Sequence, residues 1–180
     1  MPIRPPTLAV VLLPLLLGCA TPSLHARIRA LEVEADRQAV TRLMSYYAHG
    51  IDSMDEAMLR RTFAADAVAE YDGANFPMNE RLDGIEAILA WLRENVGHRK
   101  NAVPWHYMST ALVEIDGDRG TLQTFQHNRT MSGVGLYTVH AKRTTSGWRI
   151  AKLHLDETIL EPSLLDSLRS DGPNANREPQ

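Results

Sequence analysis

The chain predicts an α+β domain in which helices come first and a sheet follows. Two observations carry that prediction. Up to Val96, apolar residues recur at every third or fourth position, which is helical periodicity. From Val103 onward the pattern changes to strand-like runs separated by hairpin turns. A run of helices followed by a run of antiparallel strands places three N-terminal helices on one face of a curved antiparallel sheet. Such a sheet wrapped by helices forms a cone, and a cone has an interior.

The helical stretches come first. Thr21 to Asp52 carries one apolar stripe: Leu24, Ile28, Leu31, Ala35, Ala39, Val40, Leu43, Met44, Tyr47 and Ile51. Ser23 is placed to cap it, and Gly50 is placed to stop it. Met54 to Phe63 predicts a short second helix with Met58, Leu59 and Phe63 inward. Asp66 to Tyr71 predicts a short strand, and Asp72-Gly73-Ala74-Asn75 a turn. Ile85 to Val96 predicts a third helix that Gly97 ends.

The strands follow. Trp105 to Ile115, Thr121 to Met131, Leu136 to Thr144 and Trp148 to Leu160 predict a four-stranded meander. Asp116-Gly117-Asp118, Ser132-Gly133 and Thr145-Ser146-Gly147 supply its turns. Alternation in the first of these strands puts His106, Met108 and Leu112 on one face and Trp105, Tyr107, Ala111, Val113 and Ile115 on the other. Both faces are partly apolar, so the outer one is expected to pack on a second copy.

The 180 residues, with a net charge of −3 and a mixed composition, fit one globular domain. No Lys/Arg block stands out, which argues against nucleic acid as a partner. Met1 to Thr7 carries Arg4 and no acid, and Leu8 to Leu17 is almost wholly apolar. That run is a secretory signal, too short for a membrane span of about 20 residues. Leu16-Leu17-Gly18-Cys19 resembles a bacterial lipobox, which implies cleavage before Cys19 and a lipid on its thiol. Ordinary signal cleavage with Cys19 incidental is the alternative. Ala20 after the cysteine implies the outer membrane of a Gram-negative envelope, with the domain in the periplasm. Cys19 is the one cysteine, so no intrachain disulfide forms. The expected organisation is therefore 1–18 signal, 19–22 linker, 23–162 domain and 163–180 polar tail.

Asp52 and His106 are the candidate catalytic pair. Asp52 lies on the edge of the buried stripe, beside Ala48 and Met44. It either caps the second helix, a job Ser53 and Asp55 could share, or points into a cavity. His has a reference pKa of about 6.5 and can act as a base, with a carboxylate beside it fixing the tautomer. Tyr47, Trp105 and His127 are candidate substrate-binding residues. Tyr47 could equally be core, and Trp105 could lie on the outer face. His127, among Gln126, Asn128 and Arg129, either lines the pocket or sits on an exposed face. His140 is a further pocket candidate, but it and His154 fit structural or solvated roles better. No nucleophile signature, phosphate-binding loop or metal motif is present in the sequence.

The order of elements resembles the SnoaL-like branch of the NTF2-like superfamily over Leu24 to Leu160. The residues that carry the resemblance begin with Tyr47 and Asp52-Ser53-Met54-Asp55, then Leu59 and Phe63-Ala64-Ala65-Asp66-Ala67. Gly84-Ile85-Glu86-Ala87-Ile88, His106, Ile115-Asp116-Gly117-Asp118 and Gly147-Trp148-Arg149-Ile150 complete them. The resemblance implies the cone-shaped fold. Within the branch, scytalone dehydratase and hexachlorocyclohexane dehydrochlorinase pair a carboxylate at the end of the first helix with a histidine at the start of the first long strand. Asp52 and His106 match those positions, and Trp105-His106-Tyr107-Met108-Ser109-Thr110 is similar to the dehydrochlorinase around its histidine. Ile51 stands where the dehydratase has a tyrosine, and the dehydrochlorinase lysine has no counterpart. His127 is the nearest match to the dehydratase's second histidine.

Three functions stay open at this point. One is a lyase or isomerase that needs no metal or organic cofactor. Another is a non-catalytic pocket for a small apolar molecule or a partner protein. The third is a structural role.

Overall fold

A computed structural model of the chain describes residues 22–73, 79–96 and 105–160. The signal segment, Cys19, Ala74-Asn75 of the first turn, Gly97 and the 163–180 tail lie outside the described residues. Three helices and six strands are seen: α1 (Leu24–Ser53), α2 (Glu56–Thr62), β1 (Phe63–Asp72), β2 (Glu80–Asp83), α3 (Ile85–Asn95), β3 (His106–Asp116), β4 (Arg119–Asn128), β5 (Gly133–Thr144) and β6 (Gly147–Ile159).

Ser23 caps α1, its hydroxyl accepting from the Ala26 N–H at 3.3 Å. The apolar stripe of α1 is buried only from Val40 onward; Leu24 and Leu31 are 68% and 70% exposed. The reason is positional. Asp36, just upstream of Val40, already meets the end of the sheet, where it accepts from the Trp148 indole at 3.0 Å and pairs with Arg143. Upstream of it every described residue of the helix is exposed. The Arg143 hydrogen bond, opposed by burial and helped by Trp148, holds the Asp36 carboxyl below its usual value.

Gly50 does not stop the helix. A Cβ there would approach Leu59 Cδ2 to 2.9 Å, so glycine lets α1 and α2 pack closely. The helix ends at Ser53, where Met54 turns into the left-handed region at φ 52°. Asp55, not Asp52, caps α2, accepting from the Met58 N–H at 2.9 Å. β1 follows α2 without a gap and starts at Phe63, three residues before the predicted strand.

The sheet is mixed, not antiparallel throughout. Its order is β2-β1-β6-β5-β4-β3. β3 to β6 form the predicted antiparallel meander, whereas β1 pairs parallel with β6 and antiparallel with β2. The chain leaves β1, traverses β2, α3 and three strands, and returns beside it.

The strand faces differ from simple alternation in one place. In β3, two residues oppose one of β4 between Ser109 and Leu112, and Thr110 there has φ 52°. The bulge inverts the parity. His106 and Met108 face inward before it, and Val113 and Ile115 after it, while Leu112 is 71% exposed. The buried core joins Leu43, Met44 and Ile51 of α1, Leu59 of α2 and Ile88, Leu89 and Leu92 of α3 to Leu122, Val139, Ile150 and Leu153 of the sheet. Each such side chain contributes roughly 1.5–3 kcal/mol by leaving water.

Candidate functional site

Asp52 sits in the last turn of α1, where the helix dipole disfavours a carboxylate. The start of β3 compensates. Asp52 Oδ2 accepts from the backbone N–H groups of Trp105 at 2.8 Å and His106 at 3.2 Å. Oδ1 lies 2.7 Å from His106 Nδ1. An ionised carboxylate only accepts, so Nδ1 carries the proton and donates it. In the neutral imidazole that leaves Nε2, the other ring nitrogen, with the lone pair.

The two side chains are 15% and 13% exposed, so their attraction is little screened by water. Burial pushes the Asp52 carboxyl up. The His106 side chain and the two backbone N–H groups outweigh that and hold it below its usual value.

His106 lines a cavity of about 150 Å³. Tyr47, Tyr71, Tyr137, Trp91 and Trp105 stand in its walls, with Tyr71 and Trp91 stacked at 4.6 Å. Asn128 and Glu157 add polar groups, while Leu92, Leu155 and Ile159 add apolar ones. Among the described lining residues there is no Lys or Arg.

The three tyrosines form a hydroxyl cluster. Tyr47 Oη lies 3.1 Å from Tyr71 Oη and 3.5 Å from Tyr137 Oη. Burial pushes all three phenols well above their ordinary pKa, so each stays neutral and keeps its proton. Two contacts between hydroxyls use at most two of the three protons. One O–H therefore remains to donate elsewhere.

The structure thus brings Asp52, His106, Tyr47 and Trp105 together. Trp105 lies in the cavity wall and not on the outer face. His127 does not join them. It faces the other side of β4, stacked at 5.1 Å on Tyr107, with Nδ1 3.0 Å from its neighbour's carbonyl oxygen. His140 is exposed, and His154 meets Asp72 at 3.0 Å.

Asn128, Glu157, Tyr71, Tyr137 and Trp91 were not anticipated from the sequence. Period-two alternation held a signal for Glu157, two residues beyond the inward Leu153 and Leu155. The same rule places Gln126 and Asn128 opposite in sense to His127. Among the described residues no three His, Cys, Asp or Glu side chains converge as a metal site.

Solved structures share this fold at low identity. An NTF2-like protein with a cystatin-like fold from Novosphingobium aromaticivorans is 24% identical, with a TM-score of 0.56, over 81% of this chain and 93% of its own. A cystatin-like protein from Nostoc punctiforme gives a TM-score of 0.57 at 17% identity, over 72% of this chain and 94% of its own. An NTF2-like protein from Pseudomonas putida gives 0.56 at 17%, over 68% and 87%. Among curated proteins none matches the chain. The family model described as a SnoaL-like domain matches residues 32–154, which run from α1 through the Asp52–His106 contact to β6. By that match over more than half its length, the chain belongs to the SnoaL-like domain family.

Proposed function

We propose that the cavity is the site of a cofactor-independent lyase or isomerase in which Asp52 and His106 act together as a general base. The observation that supports this most is the 2.7 Å contact between Asp52 Oδ1 and His106 Nδ1 at the cavity wall. It leaves Nε2 as a base, and the carboxylate stabilises the imidazolium formed when a proton is taken. The remaining tyrosine O–H supplies a neutral donor for a developing enolate oxygen. A carbon acid beside a carbonyl therefore fits. The proton moves to Nε2 and the electron pair shifts onto the carbonyl oxygen. Reprotonation at another carbon is isomerisation; departure of a β-leaving group is elimination. The cavity is smaller than the roughly 300–1,000 Å³ of pockets for drug-sized ligands, so the molecule is the size of a single ring.

The test is exchange of the α-protons of cyclohexanone in deuterated water, followed by NMR. Wild type exchanges them, and His106→Gln loses about 10²–10⁴-fold, the range for a positioned base. Equal exchange by the two proteins sinks the catalytic reading. A binding pocket without chemistry is then the better account, and the aromatic walls favour it.

The setting we propose is a periplasmic domain held at the outer membrane by a lipid on Cys19, acting as a homodimer. Cys19→Ala should release the protein from the membrane fraction; retention there argues against the anchor. The exposed Tyr107, Leu112, Phe125 and Met131 support pairing of two copies through the outer sheet face.

A further inference from the structure

The first half of α1 is the part of the helix that the domain does not bury. From Leu24 to Ala35 every residue is exposed, over about 18 Å of helix at 1.5 Å per residue. The stretch is nonetheless patterned. Leu24, Ile28, Leu31 and Ala35 are spaced by four, three and four residues, the d-a-d-a order of a heptad seam. This stripe is not an overhang of the core face. At about 100° per residue, its centre lies about 140° around the helix from Val40, Leu43, Met44, Tyr47 and Ile51, the residues that pack on the domain. A partner on the stripe therefore meets the side of α1 turned away from its own domain.

The flanks say what covers it. Arg27 at g and Glu32 at e border the seam; both are exposed, and neither has a partner among the described residues. In a parallel pair the g residue of one helix meets the e residue five positions on in the other. Arg27 thus faces Glu32 of a second copy, and two-fold symmetry repeats the pair. Ile28 at a with Leu24 and Leu31 at d is the combination that favours two strands. A membrane surface fits less well. Helices that lie on membranes have a polar face rich in Lys and Arg, with Trp, Phe or Leu on the other face. Here Arg27 and Arg29 are matched by Glu32 and Glu34, the stripe is narrow, and no aromatic is present.

We infer that the free half of α1 is a docking surface for a second copy of the chain, joined to it as a short parallel coiled coil with an Arg27–Glu32 pair on each flank. The contact is independent of the cavity's chemistry and separate from the outer sheet face. Fewer than two heptads do not hold two chains together in dilute solution, so the seam acts between copies that are already concentrated.

The experiment is disulfide cross-linking of the full chain in concentrated solution, with Cys19→Ala so that each introduced thiol is the one present. Leu24→Cys and Leu31→Cys lie in layers where a residue meets its own copy, whereas Val33→Cys lies on the opposite side of the helix. The first two should link at least about 10-fold faster than the third, as a thiol held against its copy does over one that meets it by collision. Adding Arg27→Glu to the Leu31→Cys chain turns two attractions into two repulsions and should slow linking about 10-fold; adding Glu32→Arg as well should restore it. These side chains are exposed, so thermal melting should show the fold unchanged. Equal rates at the three positions overturn the inference, as does a slowing by Arg27→Glu that Glu32→Arg does not repair. Absence of linking, with binding of the Cys19→Ala chain to phosphatidylglycerol vesicles that Leu24→Ser and Leu31→Ser weaken, overturns it too and gives the stripe to a membrane surface.

Discussion

Asp52→Asn replaces one oxygen of the carboxylate by an NH2 group, and the geometry says which. If the amide nitrogen faced Trp105 and His106 N–H, two donors would confront a third. The amide oxygen therefore keeps the two backbone contacts at 2.8 and 3.2 Å, and the NH2 faces His106 Nδ1 at the 2.7 Å position. An NH2 only donates, so Nδ1 must become the acceptor and the ring proton moves to Nε2. The tautomer inverts, and the nitrogen that served as base is now protonated. The loss of base catalysis should be about 10²–10⁴-fold. Loss of the charge-assisted bonds should cost about 1–3 kcal/mol. At roughly 2–4 °C per kcal/mol for a domain of this size, the melting temperature falls by about 2–12 °C and the protein stays folded. Long-range ¹H–¹⁵N NMR reads the tautomer directly and needs no substrate. Wild type should show His106 protonated at Nδ1, and Asp52→Asn at Nε2. The same tautomer in both proteins would refute the reasoning.

Other predictions follow from the same contacts. Asp52 has its folded-state pKa depressed below 3.8, so its contribution is present above that pH and lost as pH falls through the lower folded value. The Asp52 share of the stability gap between wild type and Asp52→Asn should therefore be lost as pH falls below about 4; thermal melts from there downward check this, and a gap that does not shrink contradicts it. Tyr47→Phe removes the hydroxyl that touches both Tyr71 and Tyr137, leaving two buried phenols without their contact. It should cost about 1–3 kcal/mol in denaturant unfolding, and a neutral result would show the cluster to be loose. Leu112→Glu with Phe125→Glu changes residues that are 71% and 58% exposed, so thermal stability of the monomer should hold. Light scattering should show dimers in wild type and monomers in the variant. Dimers in both would move the interface elsewhere.

Local signals in the chain marked most of the helices and the hairpins of the meander, because periodicity and turn chemistry are local. Ser23 as cap and Asp116-Gly117-Asp118 as turn are examples. The parallel pairing of β1 with β6 was not legible, since it joins segments about eighty residues apart and leaves no local mark. β2 was missed because Glu-Arg-Leu-Asp has no strand-like alternation. The β3 bulge at Thr110 lacks the glycine that would announce it, so Leu112 was assigned to the wrong face. Asp52 competed with Asp55 for one helix cap, and sequence spacing alone favoured the cap. Only the arrival of the Trp105 and His106 N–H groups, brought by the tertiary fold, decided its partner. His127 stayed open between pocket and exposed face for a different reason: the polar cluster around it reads as one surface until strand alternation divides it.

The account's central claim is that Asp52 and His106 work as one unit. A double-mutant cycle on α-proton exchange tests it most directly. Asp52→Asn, His106→Gln and the double variant are compared with wild type. Groups that act together are strongly non-additive, so the double variant should be about as slow as His106→Gln alone. Losses that multiply, with the double variant slower than either by the product of the two, would contradict the claim.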